Sequence, residues 1–299
     1  LQIGLQILLP GVLLTGLWRG GFRSRAEWLL NVLAVTTALL FVFLTARWDF
    51  TSYYLRFVLP ILLIAASYMS YRRAIRLQGE RRKPKLSGLF INAAVLLAFS
   101  SLSVIVLWGH KVPEGAIQLA YPLREGTYYI GGGGNSRFIN NHQVHEPQKF
   151  ALDIVRFNTF GNRASGLRPD DLVRYSIFGD TVYSPCSGTV IGVLDGLPDL
   201  RRPEKDSENI AGNYVVLACE GVEVVLAHLK QGSTAGTLGM RVNEGDVLGK
   251  VGKSGKASQP HLHLHAERGG EPGEILNGEG VPIKLGGRFL VRNSLFRSR

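Results

Sequence analysis

Long apolar runs dominate the first third of this 299-residue chain. Four of them approach the ~20 residues that a helix needs to cross ~30 Å of hydrocarbon, and the loops between them are short and charged. The sequence therefore predicts a membrane domain over residues 1–110 with about four transmembrane helices, at 1–18, 28–46, 55–71 and 89–108. The chain opens at Leu1 without an initiator methionine, which leaves the true start of the protein open.

After about residue 110 the pattern changes to short stretches in which apolar and polar residues alternate. A period of two is typical of half-buried β-strands, and turns rich in glycine and proline separate the stretches. We therefore expect residues 111–299 to form an all-β domain, an antiparallel β-sandwich or barrel. Strands are predicted within residues 127–130, 150–154, 188–194, 213–218, 222–229, 242–252 and 258–267.

The positive charge of the chain lies mostly in its first third. The formal net charge is +11, of which residues 1–110 carry +9 and residues 111–299 only +2. This split removes the main support for a nucleic-acid-binding protein. Loops rich in lysine and arginine stay in the cytoplasm, so the cations within residues 19–25 and 72–85 place both loops inside. The fourth helix then runs outward, and the β domain is expected outside the cytoplasm.

Two cysteines occur, Cys186 and Cys219, both in the domain expected outside the cytoplasm. An oxidising compartment permits a disulfide between them, and two buried thiols fit the sequence equally well. Neither cysteine has the CxxC spacing of a metal site or a redox motif. We therefore assign them no chemistry.

Three of the seven histidines lie within five residues, in the segment Pro260-His-Leu-His-Leu-His265. Successive side chains of a β-strand point to opposite faces, so the three histidines share one face and the two leucines share the other. Neutral imidazole is a common metal ligand and a general base near neutral pH. The strand therefore predicts a site with metal or acid–base chemistry.

Further candidate ligands lie upstream of this strand. Asp153 projects from the predicted strand 150–154, on the face opposite the large apolar residues. Carboxylate and imidazole are both good zinc ligands, and His142 and His145 lie in a loop that can fold back over that strand. His228 ends another alternating strand, where by itself it would be an ordinary surface histidine.

Taken in order, these motifs resemble those of the lysostaphin-like (LytM-type) zinc metalloendopeptidases, which cut peptide cross-links of bacterial peptidoglycan. The resemblance covers roughly residues 121–267 and implies that family's β fold and its zinc ion. It rests on Ala-Leu-Asp153, Gly179-Asp-Thr-Val-Tyr-Ser-Pro with Gly188-Thr-Val, Ala227-His-Leu, Val242-Asn-Glu-Gly-Asp-Val-Leu-Gly, Gly252-Lys-Ser-Gly, and Pro260-His-Leu-His.

Carried over residue by residue, the resemblance implies that Asp153 and His263 are zinc ligands and that His261 and His228 are the catalytic imidazoles. The commoner family motif places its first ligand four residues before the aspartate, where this chain has a lysine, Lys149. A subgroup with an Asn-x-His segment further upstream makes His142 that ligand, with His145 as the alternative.

Two imidazoles and one carboxylate leave the fourth position of a tetrahedral zinc open for water, as in catalytic zinc sites. His261 is then expected to act as the general base, and His228 is expected to stabilise the oxyanion. The family assigns no role to His265, which would orient another ligand or line the groove.

The sequence thus predicts a zinc endopeptidase anchored in a bacterial inner membrane by several helices, with its β domain in the periplasm or outside the cell. Its expected partners are peptidoglycan peptides and the lipid bilayer. Lys149 motivates an alternative, a catalytically inactive domain of the same fold that binds and activates another cell-wall hydrolase. A swinging-arm barrel of the biotinyl/lipoyl type, suggested by the glycines of residues 242–252, is opposed by the histidines. The bond cleaved and the oligomeric state stay open.

Overall fold

The computed structural model of the chain describes residues 2–76 and 85–298. It divides into two compact units, Leu1–Trp108 and Gly109–Arg299. The first unit is helical and the second consists of β-strands and short 3₁₀ turns. Three cations of the predicted cytoplasmic loop, Arg81, Arg82 and Lys83, lie outside the described residues.

Four α-helices form the described part of the first unit: α1 (Leu9–Arg19), which follows a π-helical turn at Gly4–Leu8, α2 (Arg25–Thr45), α3 (Val58–Arg76) and α4 (Leu86–Trp108). Among the described residues, three helical segments are long and apolar enough to cross a membrane, namely Arg25–Thr45, Tyr53–Ala74 and Leu86–Trp108. The apolar run at 1–18 is also helical, through the π-helical turn and α1 together, but it is not among these three segments. Length and composition thus support three of the four expected spans.

Polar side chains join the helices of the first unit. Asn31 Nδ2 on α2 donates a hydrogen bond to Asn92 Oδ1 on α4 at 2.9 Å, and Trp28 Nε1 donates to Ser70 Oγ on α3 at 3.0 Å. In an apolar surrounding, where water does not compete, such bonds fix how neighbouring helices face each other.

Thirteen strands lie in the described part of the second unit: β1 (Ile117–Leu119), β2 (Tyr128–Gly132), β3 (Leu152–Arg156), β4 (Thr181–Tyr183), β5 (Gly188–Leu194), β6 (Asn213–Cys219), β7 (Val222–Leu229), β8 (Arg241–Val242), β9 (Val247–Lys250), β10 (Leu262–Arg268), β11 (Glu279–Val281), β12 (Ile283–Leu285) and β13 (Leu295–Phe296). Nine form one antiparallel sheet in the order β13-β2-β3-β10-β7-β6-β5-β8, with β11 also paired to β10. The predicted fold class, apolar N-terminal helices followed by a mostly antiparallel β domain, is confirmed.

Strand β10 lies in the middle of this sheet, between β3 and β7. Its leucines, Leu262 and Leu264, are fully buried and pair in register with Ile154 and Leu152 of β3. All four belong to the main apolar core, and burying each such side chain stabilises the fold by about 1.5–3 kcal/mol. The opposite face of β10 carries the histidines, as the alternation predicts.

Two β-bulges interrupt the sheet next to these histidines. Between β2 and β3, Ile130 pairs with Ile154 and Gly132 with Asp153, so one extra glycine lies in β2. Between β6 and β7, Tyr214 pairs with Ala227 and the next pair is Asn213 with Leu229, which leaves His228 as the extra residue. A bulge bends its strand and redirects a side chain. Both bulges therefore shape the side of the sheet where the candidate site lies.

The two cysteines form a disulfide between Cys186 and Cys219, which are 33 residues apart in sequence. Of the two states that the sequence left open, the structure contains the disulfide. Cross-linking removes conformational freedom from the unfolded chain, and a loop of this size is worth about 3–4 kcal/mol.

Replacing both cysteines with serine is expected to lower the melting temperature of the β-sheet signal by roughly 10 °C, because the unfolded chain regains that freedom. Circular dichroism of the full chain in detergent measures the change. Wild-type protein treated with a reducing agent is the matched control and is expected to have the same melting temperature as the double variant. A wild-type melting temperature that does not respond to reduction would contradict the prediction.

Candidate metal centre

Three side chains from three separate elements converge on one point. His142 lies in a 3₁₀ turn at Asn141–Val144, Asp153 on β3 and His263 on β10, directly opposite Asp153 in the strand register. His142 Nε2 is 3.0 Å from Asp153 Oδ1, and His263 Nδ1 is 3.1 Å from the same oxygen. One ligand atom from each residue lies within 4.8 Å of the other two. The three residues therefore form a group that can hold a metal ion.

This donor set fits zinc. Around a tetrahedral zinc, ligand atoms at about 2.1 Å lie roughly 3.4 Å from one another, close to the separations found here. Two imidazole nitrogens and one carboxylate oxygen are also the ligand types of catalytic zinc sites, which keep one position open. His142 and Asp153 retain 22% and 16% of their side-chain exposure, so solvent reaches that side of the group.

Two further histidines lie beside this group. His261 Nε2 is 3.5 Å from Asp153 Oδ1, and the rings of His261 and His228 have centroids 4.7 Å apart. Each ring is oriented by a backbone carbonyl: His261 Nδ1 is 2.8 Å from Gln259 O, and His228 Nδ1 is 2.9 Å from Ser254 O. Since a carbonyl only accepts, both Nδ1 atoms carry hydrogen, and in the neutral rings Nε2 is the basic nitrogen.

The backbone of His228 has φ of 62°, in the left-handed region that side chains other than glycine seldom occupy. Its N–H donates to Ala211 O at 2.9 Å. Gly212 packs so closely on the chain at Ser254 that a Cβ would lie 2.4 Å from that backbone. The surroundings thus hold His228 in a costly conformation, which is common at functional sites.

Asn140 and Arg292 hold the turn that carries His142. Asn140 is fully buried, its Oδ1 accepts the N–H of His142 at 3.0 Å, and its Nδ2 donates to the carbonyls of Gly134, Lys149 and Ala151. Buried Arg292 donates to Gly131 O and Phe138 O, both at 3.0 Å. Our sequence interpretation missed both residues. Asn140 lies two residues before His142 in the Asn-x-His segment and was identifiable, whereas nothing in the sequence marks Arg292.

Two residues considered for the first ligand position do not join the group. Lys149 points away from it, with Nζ 2.6 Å from Glu146 Oε1 and 3.7 Å from Glu279 Oε1. His145 is exposed and ends the turn, where its N–H donates to His142 O at 2.8 Å. The structure therefore brings His142, and not His145, to Asp153 and His263.

Burial and mutual charge set the protonation of the group. Burial acts to raise the pKa of Asp153, but His142 and His261 outweigh it and hold that pKa well below its ordinary value. Burial lowers the pKa of His263 to about 3. Burial, followed by repulsion from His261 and His263, also lowers the pKa of His228 well below its ordinary value. Burial acts to lower the pKa of His142, but Asp153 outweighs it and raises that pKa. At neutral pH the site therefore contains an ionised Asp153 and neutral rings at His263 and His228, whereas His142 must give up any proton that Asp153 stabilises on its ring before it binds a metal.

His265 lies behind His263, on the same face of β10. Its Nδ1 is 3.0 Å from His263 Nε2, and its Nε2 is 3.5 Å from Glu267 Oε1. Burial lowers the pKa of His265 although Glu267 acts against it, while His265 and backbone amides lower the pKa of Glu267 against its burial. Glu267 also escaped our sequence interpretation, although the alternation that places the three histidines continues to it.

Part of the β unit is similar to a known protein family. Residues 173–274 match the sequence model of Peptidase family M23, a range that contains His228, His261 and His263 but begins after His142 and Asp153. No curated protein sequence matches the chain.

Several solved structures are similar, and three of them are peptidases. The putative peptidase M23 from Pseudomonas aeruginosa is 19% identical, with 62% of this chain and 57% of that chain covered and a TM-score of 0.29. A zinc-containing peptidase from Vibrio cholerae is 20% identical, with coverage of 39% and 46% and a TM-score of 0.25. The catalytic domain of lysostaphin from Staphylococcus simulans is 17% identical, with coverage of 50% and 78% and a TM-score of 0.26.

The chain spans about half the length of the first two of these structures. The lysostaphin-like resemblance drawn from the motifs is confirmed by the match of residues 173–274, about a third of the chain, to Peptidase family M23.

Proposed function

We propose that the chain is a membrane-anchored zinc endopeptidase that hydrolyses peptide bonds of bacterial peptidoglycan. The observation that carries the proposal is the convergence of His142, Asp153 and His263 beside the paired rings of His228 and His261. The family match supports a peptidase, and the three apolar helices support the anchor. The cation-rich loops favour a β domain on the outer side of the inner membrane.

His142 Nε2, Asp153 Oδ1 and His263 Nδ1 would hold the zinc ion. When bound, zinc supplies Lewis acidity, which polarises the scissile carbonyl and makes water a better nucleophile. Asp153 also bridges the ligands and the base, because its Oδ1 lies within 3.5 Å of His142, His263 and His261. A shift of this one carboxylate would therefore disturb both metal binding and catalysis.

His261 takes the proton of the attacking water. Its Nδ1–H is committed to Gln259 O, so Nε2 is the nitrogen that accepts, and Nε2 faces Asp153. As the water oxygen bonds to the carbonyl carbon, its proton moves to His261 Nε2, and the same proton passes to the amine when the C–N bond breaks. Base and acid are thus one side chain at successive steps.

His228 stabilises the charge that develops on the carbonyl oxygen. Its Nδ1–H is bound to Ser254 O and burial keeps the free ring neutral, so His228 donates to the oxyanion only after Nε2 takes up a proton from solvent as the negative charge develops. The left-handed backbone and the Ala211 contact fix the ring beside His261 before substrate arrives. The ring itself therefore needs little movement during the reaction.

The alternative, a non-catalytic domain that activates another wall hydrolase, was motivated by Lys149. That lysine is engaged with Glu146 and Glu279, and His142 from the preceding turn fills the ligand position. The donor set is complete without it, so we prefer the enzyme.

Purified peptidoglycan fragments are the direct test. The full chain in detergent is expected to release new amino termini, detected by mass spectrometry, and to lose this activity with a chelator and regain it with zinc. His145→Ala protein is the matched control and is expected to retain the activity. Cleavage that does not depend on metal, or no cleavage by zinc-loaded protein, would refute the proposal.

A further inference from the structure

A row of four polar side chains runs along one face of β10, and only its first half has been given a role. His261 and His263 face the metal centre, whereas His265 and Glu267 lie behind it with 2% and 1% of their surface exposed. A carboxylate and an imidazole this deeply buried are costly unless they are partnered. We propose that His265 and Glu267 are positioning residues that fix His263 as a metal ligand, an inference that rests on the proposed zinc site.

The outer end of the row is anchored by backbone. Glu267 accepts three consecutive N–H groups, from Leu276 at 2.9 Å, Asn277 at 3.2 Å and Gly278 at 2.8 Å. Leu276 has φ of 66°, so this loop adopts a strained turn that directs its amides at the carboxylate. Three donors hold the carboxylate ionised and in one orientation.

The carboxylate then determines which nitrogens carry hydrogen. His265 Nε2 has no hydrogen-bond partner among the described residues, but it faces this carboxylate at 3.5 Å, and the negative charge favours the ring with its hydrogen on Nε2. In that neutral ring Nδ1 is an acceptor. That Nδ1 is 3.0 Å from His263 Nε2, which must therefore be the donor. His263 Nδ1 is left with its lone pair directed at Asp153 and the metal position. The row thus selects the tautomer of His263 that binds metal.

The other tautomer of His263, with its hydrogen on Nδ1, would leave the site unable to bind zinc. A hydrogen on His263 Nδ1 would occupy the lone pair that coordinates, and it would be stabilised by Asp153, only 3.1 Å away. Asp153 therefore favours the wrong tautomer when no metal is present. Glu267, acting through His265, opposes it from the other side of the ring.

The positioning role is tested by the zinc affinity of the full chain in detergent. This affinity is measured by competition with a chromophoric chelator. His265→Leu keeps the apolar bulk and removes the acceptor, so we expect the affinity to fall by about 10- to 100-fold. His265→Asn places a carbonyl oxygen near the position of Nδ1 and is expected to restore most of the affinity. A role in folding alone would lower the melting temperature of the metal-free protein and would not be rescued in this way.

A second pair of variants changes the loop that donates hydrogen bonds to Glu267 and leaves the histidines intact. A Cβ at Gly278 would lie 2.8 Å from Arg268 O and 3.1 Å from Glu267 Oε2, so Gly278→Ala should displace the carboxylate and weaken zinc binding. Asn277→Ala keeps its backbone N–H and is the matched control, with affinity expected to equal that of wild type. The visible spectrum of the cobalt-substituted protein should change with Gly278→Ala and not with Asn277→Ala.

Wild-type affinity in His265→Leu, or equal loss in His265→Leu and His265→Asn, would overturn the positioning role. Wild-type protein that binds zinc, responds to these variants and cleaves no peptide would support the row and refute the proposed activity. Wild-type protein that binds no zinc would overturn both proposals.

Discussion

Alanine at His142 is expected to abolish zinc retention and peptide hydrolysis, whereas alanine at His145 leaves both unchanged. His142 Nε2 lies 3.0 Å from Asp153 Oδ1 within the ligand group, and His145 is an exposed residue three positions later. Loss of a hydrogen-bond partner of a ligand weakens metal binding by up to about 100-fold. Loss of the ligand itself should weaken zinc binding further. The two variants therefore separate the two histidines that the sequence left as alternatives.

Zinc content after gel filtration and the chelator competition constant are the measurements for this pair. Both variants remove one imidazole from the same turn, so the comparison corrects for general effects on that loop. Zinc loss in His145→Ala with full retention in His142→Ala would contradict the geometry. An Asn140→Ala variant should lie between them, because the turn loses the side chain that accepts the His142 N–H.

Alanine at His261 is expected to lower the turnover rate by about 10²- to 10⁴-fold, the usual contribution of a positioned general base, while zinc stays bound. His261 Nε2 contacts Asp153 Oδ1 at 3.5 Å without being one of the three convergent ligands. Alanine at His228 should cost about 10²- to 10³-fold, as removal of an oxyanion donor does. The double variant should be little worse than the single His261 variant, since the two rings act in one step.

Steady-state kinetics on a defined muropeptide, with zinc content determined on the same samples, tests this pair. Unlike His142→Ala, the His261 and His228 variants are expected to retain zinc while they lose activity. Zinc depletion in His261→Ala would show that His261 is a ligand. Near-normal turnover in both single variants would mean that the paired rings do not act on the substrate.

The fold and half of the site were predictable because β-strand alternation is a strong local signal. It placed His261 and His263 on one face of β10 and Leu262 and Leu264 in the core, and it gave Asp153 its direction on β3. Sequence order of the motifs then indicated the resemblance to lysostaphin-like peptidases. These features depend on periodicity and spacing, which a sequence displays directly.

The remaining half depends on backbone detail that no local pattern encodes. His228 is directed by a bulge and a left-handed backbone, so simple alternation in β7 does not describe it. The choice between His142 and His145 depends on Asn140 and Arg292, and Arg292 lies 150 residues downstream of His142 in the sequence. Glu267 was overlooked because its partners are backbone amides, which every residue but proline supplies.

The central position of β10 also has a consequence for the order of folding. Asp153 and His263 are separated by 110 residues, yet β3 and β7 pair with β10 and not with each other. Until β10 is synthesised and inserted, β3 and β7 each present an unpaired edge, which is prone to pairing with other chains. Such distant pairing is slow. Metal capture at the proposed centre would therefore be a late event, and zinc loading would report that β10 has paired with both neighbouring strands.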